Sequence, residues 1–152
     1  MKTIKAIDVA YLFLNWAKED GDFLSNLKIQ KLLYYAQSWN LVYFNTPLFQ
    51  DQIEAWVYGP VIANVYNSFK KFGQSPIICE KIINTIKSKF SDDTLEFLKS
   101  VYSHYVRFSA HELVNITHNE APWKETFQEN KNNVISLELM SNYYASMLKT
   151  NA

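Results

Sequence analysis

The scarcity of residues that break helices constrains this chain more than any other feature of its sequence. Glycine occurs only three times and proline four times among 152 residues. A fold with many strands needs many turns, and these two residues are the strongest markers of turns. The length corresponds to one domain. The sequence therefore predicts a mainly α fold, built as a single compact multi-helix domain over residues 1–152.

Two short segments have the character of strands rather than helices. Residues 53–58 are rich in β-branched and aromatic side chains and end at Gly59-Pro60. Residues 76–79 form a second brief apolar run. We expect at most one or two very short strands, near 53–58 and 76–79. Pro60 is predicted to lie in the first turn of a helix that continues to Phe72.

Residues 26–43 are predicted to form the central helix, because apolar side chains at helical spacing cover much of its circumference. A remaining strip of this helix points in another direction and contains Lys28, Lys31 and Tyr35, with Trp39 as its continuation. We expect the strip to be exposed and to bind a partner. Its cationic groups would complement an acidic patch on that partner and speed encounter.

Composition limits the classes of partner. Fifteen basic and fifteen acidic residues give a net charge of zero, which does not provide the basic surface that binding to nucleic acid requires. No apolar run approaches the ~20 residues that span a bilayer, and the N-terminal residues do not form a secretion signal. Cys79 is the only cysteine, so no disulfide can form within the chain. We expect a cytoplasmic protein that binds neither membranes nor nucleic acid.

Two histidine motifs are similar to known metal-binding patterns. His111 and Glu112 begin a pattern close to H-E-x-x-H, but Asn115 stands where the second histidine is required. Glu112 is better explained as part of a helix capping box with Ser109. The segment that begins at His118 is similar to the start of the zinc deaminase signature, which also needs a C-x-x-C pair. We expect no catalytic residues, metal or cofactor, and therefore no enzyme; metal analysis would test the competing enzymatic interpretation.

Three blocks of sequence carry a more specific signal. They are residues 27–37 (LKIQKLLYYAQ), residues 54–61 (EAWVYGPV) and residues 109–123, which end in THNEAPW. In this order the blocks resemble the Panacea-domain family, which includes the SocA-like antitoxins and many prophage-associated proteins. The departures are small: Ile29 follows Lys28 where leucine is common, and Asn115 replaces the usual serine.

The resemblance implies a compact, mostly helical antitoxin that neutralises a cognate protein toxin by direct contact. In one branch of the family the antitoxin instead acts as a proteolytic adaptor, which delivers its toxin or another protein to a cytoplasmic protease. Whether a protease component also binds, and whether the protein forms a homo-oligomer, stays open. So does repression of its own operon, although the neutral charge argues against it.

The side chains of the three blocks are expected to be mainly structural. Packing explains an aromatic residue beside a rigid turn, as at Trp56 and Trp123, and the alternative is a preorganised surface with aromatic anchors. The motif residues expected to be structural are Gln30, Tyr34, Gln37, Trp56, Tyr58, Gly59, Pro60, His118, Pro122 and Trp123.

Overall fold

Helices dominate the computed structural model, which describes residues 3–81 and 83–150. Over these ranges the chain forms eight α-helices and a two-stranded antiparallel sheet, so the predicted mainly α fold is confirmed. The proposed domain, residues 1–152, also includes residues 1, 2, 82, 151 and 152, which lie outside the described ranges. The elements are α1 (Ala6–Glu19), α2 (Asn26–Phe44), β1 (Glu54–Trp56), β2 (Gly59–Val61), α3 (Ala63–Phe69), α4 (Ile83–Lys87), α5 (Asp92–Tyr105), α6 (Ala110–His118), α7 (Ala121–Thr126) and α8 (Leu137–Thr150).

Helix α2 is the central element and packs against α1, α3, α5, α6, α8 and β2. It begins after Ser25, whose hydroxyl accepts a hydrogen bond of 3.2 Å from the backbone N–H of Lys28. It ends at Asn45, which adopts the left-handed conformation with φ 59°. Because neighbours surround this helix, its polar side chains must also find hydrogen-bond partners inside the protein.

Aromatic side chains fill much of the space around α2. Phe13 and Trp16 of α1 lie against Tyr102 of α5, with ring centroids 5.4 and 5.5 Å away. On another side of α2, Tyr34 packs edge-on against Tyr144 of α8 at 6.0 Å. None of the helices within the described ranges is both long enough and apolar enough to cross a bilayer.

The sheet is small, and β1 and β2 form a hairpin in which Trp56 pairs with Gly59. The other edge of β1 is also bonded, since the Ala55 N–H donates to the carbonyl of Asn133 at 2.8 Å. The strand predicted near residues 53–58 is therefore confirmed, with observed bounds at Glu54–Trp56.

Two expectations about the neighbouring segments are wrong. Pro60 lies in β2 and does not begin a helix; α3 starts three residues later. Two contacts explain the difference: Gly59–Val61 pairs locally with β1, and the Ile62 N–H donates to the distant Gln30 side chain at 2.9 Å. No strand occurs at residues 76–79, which are described throughout; there the Ile77 N–H donates to the loop before α2.

Candidate protein-interaction site

The three sequence blocks meet around the β1–β2 hairpin. The first block lies in α2, the second forms the hairpin, and the third forms α6 and α7. Both α2 and α6 pack against β2. The indole N–H of Trp123 donates to the carbonyl of Trp56 at 2.7 Å, which joins α7 to the end of β1. We call Lys31, Thr117, His118 and Trp123 the hairpin support, because these side chains hold the hairpin from α2, α6 and α7.

Lys31 lies under the hairpin and is not on the surface. Its side chain is 0% exposed, and its Nζ donates to the carbonyl of Pro60 at 3.2 Å. Burial penalises the ammonium form and lowers the pKa of Lys31 to about 7. The expectation that Lys31 is an exposed cation is therefore wrong, because the strip of α2 that carries it faces β2 and not solvent.

Gly59 makes this position of Lys31 possible. Its φ of 108° lies in the region that favours glycine. A Cβ at residue 59 would lie 2.5 Å from Cε of Lys31 and 3.0 Å from Oγ1 of Thr117. The absence of a side chain thus allows the hairpin to close directly on the buried lysine and on α6.

His118 supports the turn of the hairpin from the end of α6. Its imidazole stacks on Trp123 with ring centroids 3.9 Å apart and bonds to the backbone of Val57. Burial lowers the pKa of His118, the bond to Val57 opposes that effect, and the nearby Lys31 adds to it. Nε2 is buried without a partner among the described residues. The lowered pKa favours the neutral imidazole, which packs between the end of α6 and the turn of the hairpin.

The two residues at the tip of the hairpin are the exposed part of the site. Val57 is 60% and Tyr58 67% exposed, whereas the flanking Gly59 is buried and Trp56 is partly buried. The Trp56 ring packs edge-on against Tyr66 at 5.0 Å. The structure thus separates the second sequence block into a supported base and a two-residue tip in solvent. The expectation that Tyr58 has a structural role is therefore wrong, because its side chain faces solvent and does not pack inside the fold.

The remaining members of the predicted binding strip also have partners inside the fold. Lys28 is partly buried, and its Nζ donates to the Val106 carbonyl at 2.6 Å. Burial lowers the pKa of Lys28, while the charges of two acidic side chains oppose the change. Trp39 is partly buried and donates its indole N–H to the hydroxyl of Tyr105 at 2.8 Å.

Tyr35 is fully buried, so the expectation that it is exposed is also wrong. Its ring stacks on Tyr105 at 3.9 Å, and its hydroxyl donates to Oε1 of Glu120 at 2.6 Å. The hydroxyl of Tyr144 donates to the same oxygen at 2.9 Å. Burial raises the pKa of Glu120, and the bonds from the two hydroxyls oppose that effect. This carboxyl group therefore links α2 to α8 at the beginning of α7.

Other motif side chains are bonded to the segments that flank α2. Oε1 of Gln30 accepts the Ile62 N–H at 2.9 Å, directly after β2. The Gln37 amide donates to the Phe49 carbonyl at 2.8 Å, and its oxygen accepts the Leu48 N–H at 2.7 Å. Tyr34 is fully buried, and Pro122 is buried in the first turn of α7. These bonds occupy the side chains of the first block within the fold.

Sequence reasoning did not single out Glu120, Tyr144 or Val57. Glu120 lies within the third block, directly before Ala121-Pro122, and this position at the beginning of α7 is the signal that could have identified it. Tyr144 had no recognisable signal, because its partners lie 110 and 24 residues away in sequence. Val57 looked like an ordinary strand residue, and only the register of the hairpin places it in the turn.

Comparison with known proteins identifies the family of this chain. The sequence profile described as "Antitoxin SocA-like, Panacea domain" matches residues 29–124, which is more than half of the chain. The chain belongs to the SocA-like, Panacea-domain family. The matched Panacea region begins inside α2 and ends inside α7, so it contains the hairpin and all of its support.

A curated relative supports the same assignment. Antitoxin SocA of Caulobacter vibrioides (strain NA1000 / CB15N) is 34% identical over 131 residues, which cover 80% of this chain and 70% of that protein. No solved structure matches the chain. The Panacea-domain assignment therefore rests on sequence. The contacts around the hairpin show what several of the motif side chains do, because these side chains bond to the hairpin backbone.

Proposed function

We propose that this protein is an antitoxin that neutralises a cognate toxin by direct protein–protein contact. Membership of the family and similarity to a protein named Antitoxin SocA support the antitoxin role. The structural observation that carries the direct-contact mechanism is the hairpin. Side chains from the first and third sequence blocks hold it, while Val57 and Tyr58 at its tip face solvent. A rigid, exposed element of this kind suits recognition of another protein.

The chemistry of the support agrees with a binding function. Lys31, His118 and Glu120 are titratable side chains within the sequence blocks, and each makes its hydrogen bonds to groups inside the fold. Their bonds connect α2, the hairpin, α6 and α8. We therefore assign these groups to positioning the hairpin and the surrounding helices, and the function to the surface that they position.

Co-expression with the protein encoded by the adjacent gene tests the proposal. The neighbour is first expressed alone, and growth inhibition is measured. We expect co-expression of this protein to restore growth, and the two proteins to co-purify as a stable complex. An immunoblot of the neighbour is needed in the same cells, because its level separates blocking from degradation.

The outcomes have different meanings. Restored growth with an unchanged toxin level and a stable complex supports neutralisation by contact. Restored growth with loss of the toxin protein favours the proteolytic adaptor instead, and the loss would then disappear in a strain that lacks the protease. A toxic neighbour that is neither bound nor counteracted contradicts the proposal.

A further inference from the structure

Among the described residues two tyrosines are strongly exposed, Tyr43 and Tyr58, and the tip of the hairpin carries the second of them. About two-thirds of the surface of Tyr58 is in solvent, and this side chain has no hydrogen-bond or ring partner among the described residues. Tyr43 is similarly exposed at 70%, but its ring packs against Phe44 and Phe97 at 5.4 and 5.1 Å. An aromatic side chain that is mostly in solvent and has neither hydrogen-bond nor ring partners contributes little to folding.

The backbone that carries the tip is fixed on both sides of the turn. Before the tip, the Trp56 carbonyl accepts the Trp123 indole N–H, and His118 bonds to the backbone of Val57. After it, Gly59 contacts Lys31, which also donates to the next carbonyl. Binding through such a turn loses little backbone entropy, so more of the contact energy is available as affinity.

We propose that the Val57-Tyr58 tip is the anchor of the toxin interface and that it enters an apolar pocket on the toxin. This inference rests on the proposed function and specifies its contact. The pocket is lined by apolar side chains that receive Val57 and the Tyr58 ring. It contains a hydrogen-bond acceptor for the Tyr58 hydroxyl, since a buried hydroxyl group needs a partner.

The area of the tip argues against a symmetric contact in which the tips of two copies of this chain pack against each other. An aromatic side chain buries on the order of 150–250 Å², so the two tip residues together supply roughly 300 Å². A specific interface needs about 800 Å² from each partner. Two tips packed against each other would fall well short of that area. A concave partner that surrounds the tip and also contacts the nearby surface can supply the rest, with Tyr58 as its centre.

Substitutions at matched exposed tyrosines test the anchor. We expect Tyr58→Ala to weaken binding of the toxin at least 30-fold, the scale of an interface hot spot, and to abolish growth rescue. Tyr43→Ala, at a tyrosine of equal exposure, should change the dissociation constant less than about 3-fold. Tyr58→Phe keeps the ring and should lose about 5- to 10-fold through the missing hydroxyl bond. Circular dichroism and thermal unfolding of each variant show whether it is folded.

Photo-crosslinking provides a second measurement in an otherwise intact chain. A photoreactive phenylalanine analogue at position 58 should capture the toxin, and the same analogue at position 43 should not. Rescue and binding by Tyr58→Ala at the level of the unchanged protein, or crosslinking from position 43 alone, would overturn the anchor and leave the antitoxin function standing. If the unchanged protein neither rescues growth nor binds the toxin, the proposed function fails and the anchor fails with it.

Discussion

Replacement of Lys31 with methionine tests whether a lysine side chain is buried under the hairpin. Methionine is unbranched and flexible and can occupy much of the same space without a charge. In the folded chain the pKa of Lys31 is about 7, below its ordinary value of 10.5. The unfolded chain therefore binds more protons between these two values, and the free energy of unfolding rises with pH across that window.

The magnitude follows from the two pKa values. The full interval between about 7 and 10.5 corresponds to roughly 5 kcal/mol of lost stability, which is reached below pH 7, where Lys31 is protonated in both the folded and the unfolded chain. Between pH 7 and pH 9, the Lys31 contribution to the free energy of unfolding should improve by about 2 kcal/mol. Lys31→Met removes this dependence. It also leaves the Pro60 carbonyl without its donor, at about 1–3 kcal/mol, but that loss does not vary with pH.

Urea unfolding at pH 7, 8 and 9, followed by tryptophan fluorescence and circular dichroism, measures the effect. We expect Lys31→Met to be at least as stable as the unchanged protein at pH 7, and its relative advantage to shrink by about 2 kcal/mol at pH 9. Lys131→Met, at an exposed lysine, is the matched control and should show no such trend. A difference between Lys31→Met and the unchanged protein that stays constant within about 0.5 kcal/mol would refute the burial of a neutral lysine.

Substitutions at three further residues, Gly59, Glu120 and Gln37, test the contacts around the site. Gly59→Ala should lower the free energy of unfolding by about 2–4 kcal/mol, because the new Cβ clashes with Lys31 and the φ is positive. Gly73→Ala is the control, since Gly73 has a positive φ but open space, and it should lower this free energy by only about 1–2 kcal/mol. Equal losses for the two variants in urea unfolding would contradict the clash. Glu120→Ala should lower the free energy of unfolding by about 2–4 kcal/mol, because two tyrosine hydroxyls lose their acceptor. Glu120→Gln keeps an acceptor and should lower it less. Because burial raises the pKa of Glu120, the stabilising effect of this side chain is greatest in acid and is lost as pH rises through that pKa. Thermal unfolding at pH 4 and pH 7 checks both variants, and identical losses for them would argue against the acceptor role. Gln37→Ala should lower the midpoint of urea unfolding, with about 2–4 kcal/mol less free energy of unfolding, because the loop at residues 48–49 loses its hydrogen bonds to the Gln37 amide. An unchanged midpoint would show that water replaces these bonds.

The features that depend on local sequence were predictable. Residues 26–43 were expected to be the central helix, and α2 is observed as Asn26–Phe44, since helical spacing of apolar residues is a strong signal over five turns. The capping box was also correct: the Ser109 N–H donates to the Glu112 carboxylate at 3.0 Å, and the Glu112 N–H donates back to the Ser109 hydroxyl at 3.1 Å. Each of these features involves residues at most four apart, so sequence alone specifies it.

The errors arose where distant segments decide the outcome. Polarity placed Lys31 on the outside, because a lysine is rarely fully buried. The carbonyl of Pro60 and the space beside Gly59 provide its environment, and both lie about thirty residues away in sequence. Pairing with β1 places Pro60 in β2 and not in the predicted helix, and the distant Gln30 side chain binds the backbone directly after this strand. The family resemblance placed the three blocks in one fold, but it could not show which of their side chains face inward.

The inward position of most motif side chains separates folding from recognition in this chain. Substitutions at Lys31, Gly59 or Glu120 change contacts inside the fold and should act on binding through stability and through the position of the hairpin. Substitutions at Tyr58 remove a side chain that has no hydrogen-bond or ring partner in the described part of the chain, so they should act on binding while the unfolding transition stays in place. A variant of the first kind whose fold is restored by pH or a second substitution should therefore recover its partner, because the tip itself is unchanged. A variant of the second kind has no such rescue, since the lost contact belongs to the complex and not to the folded chain.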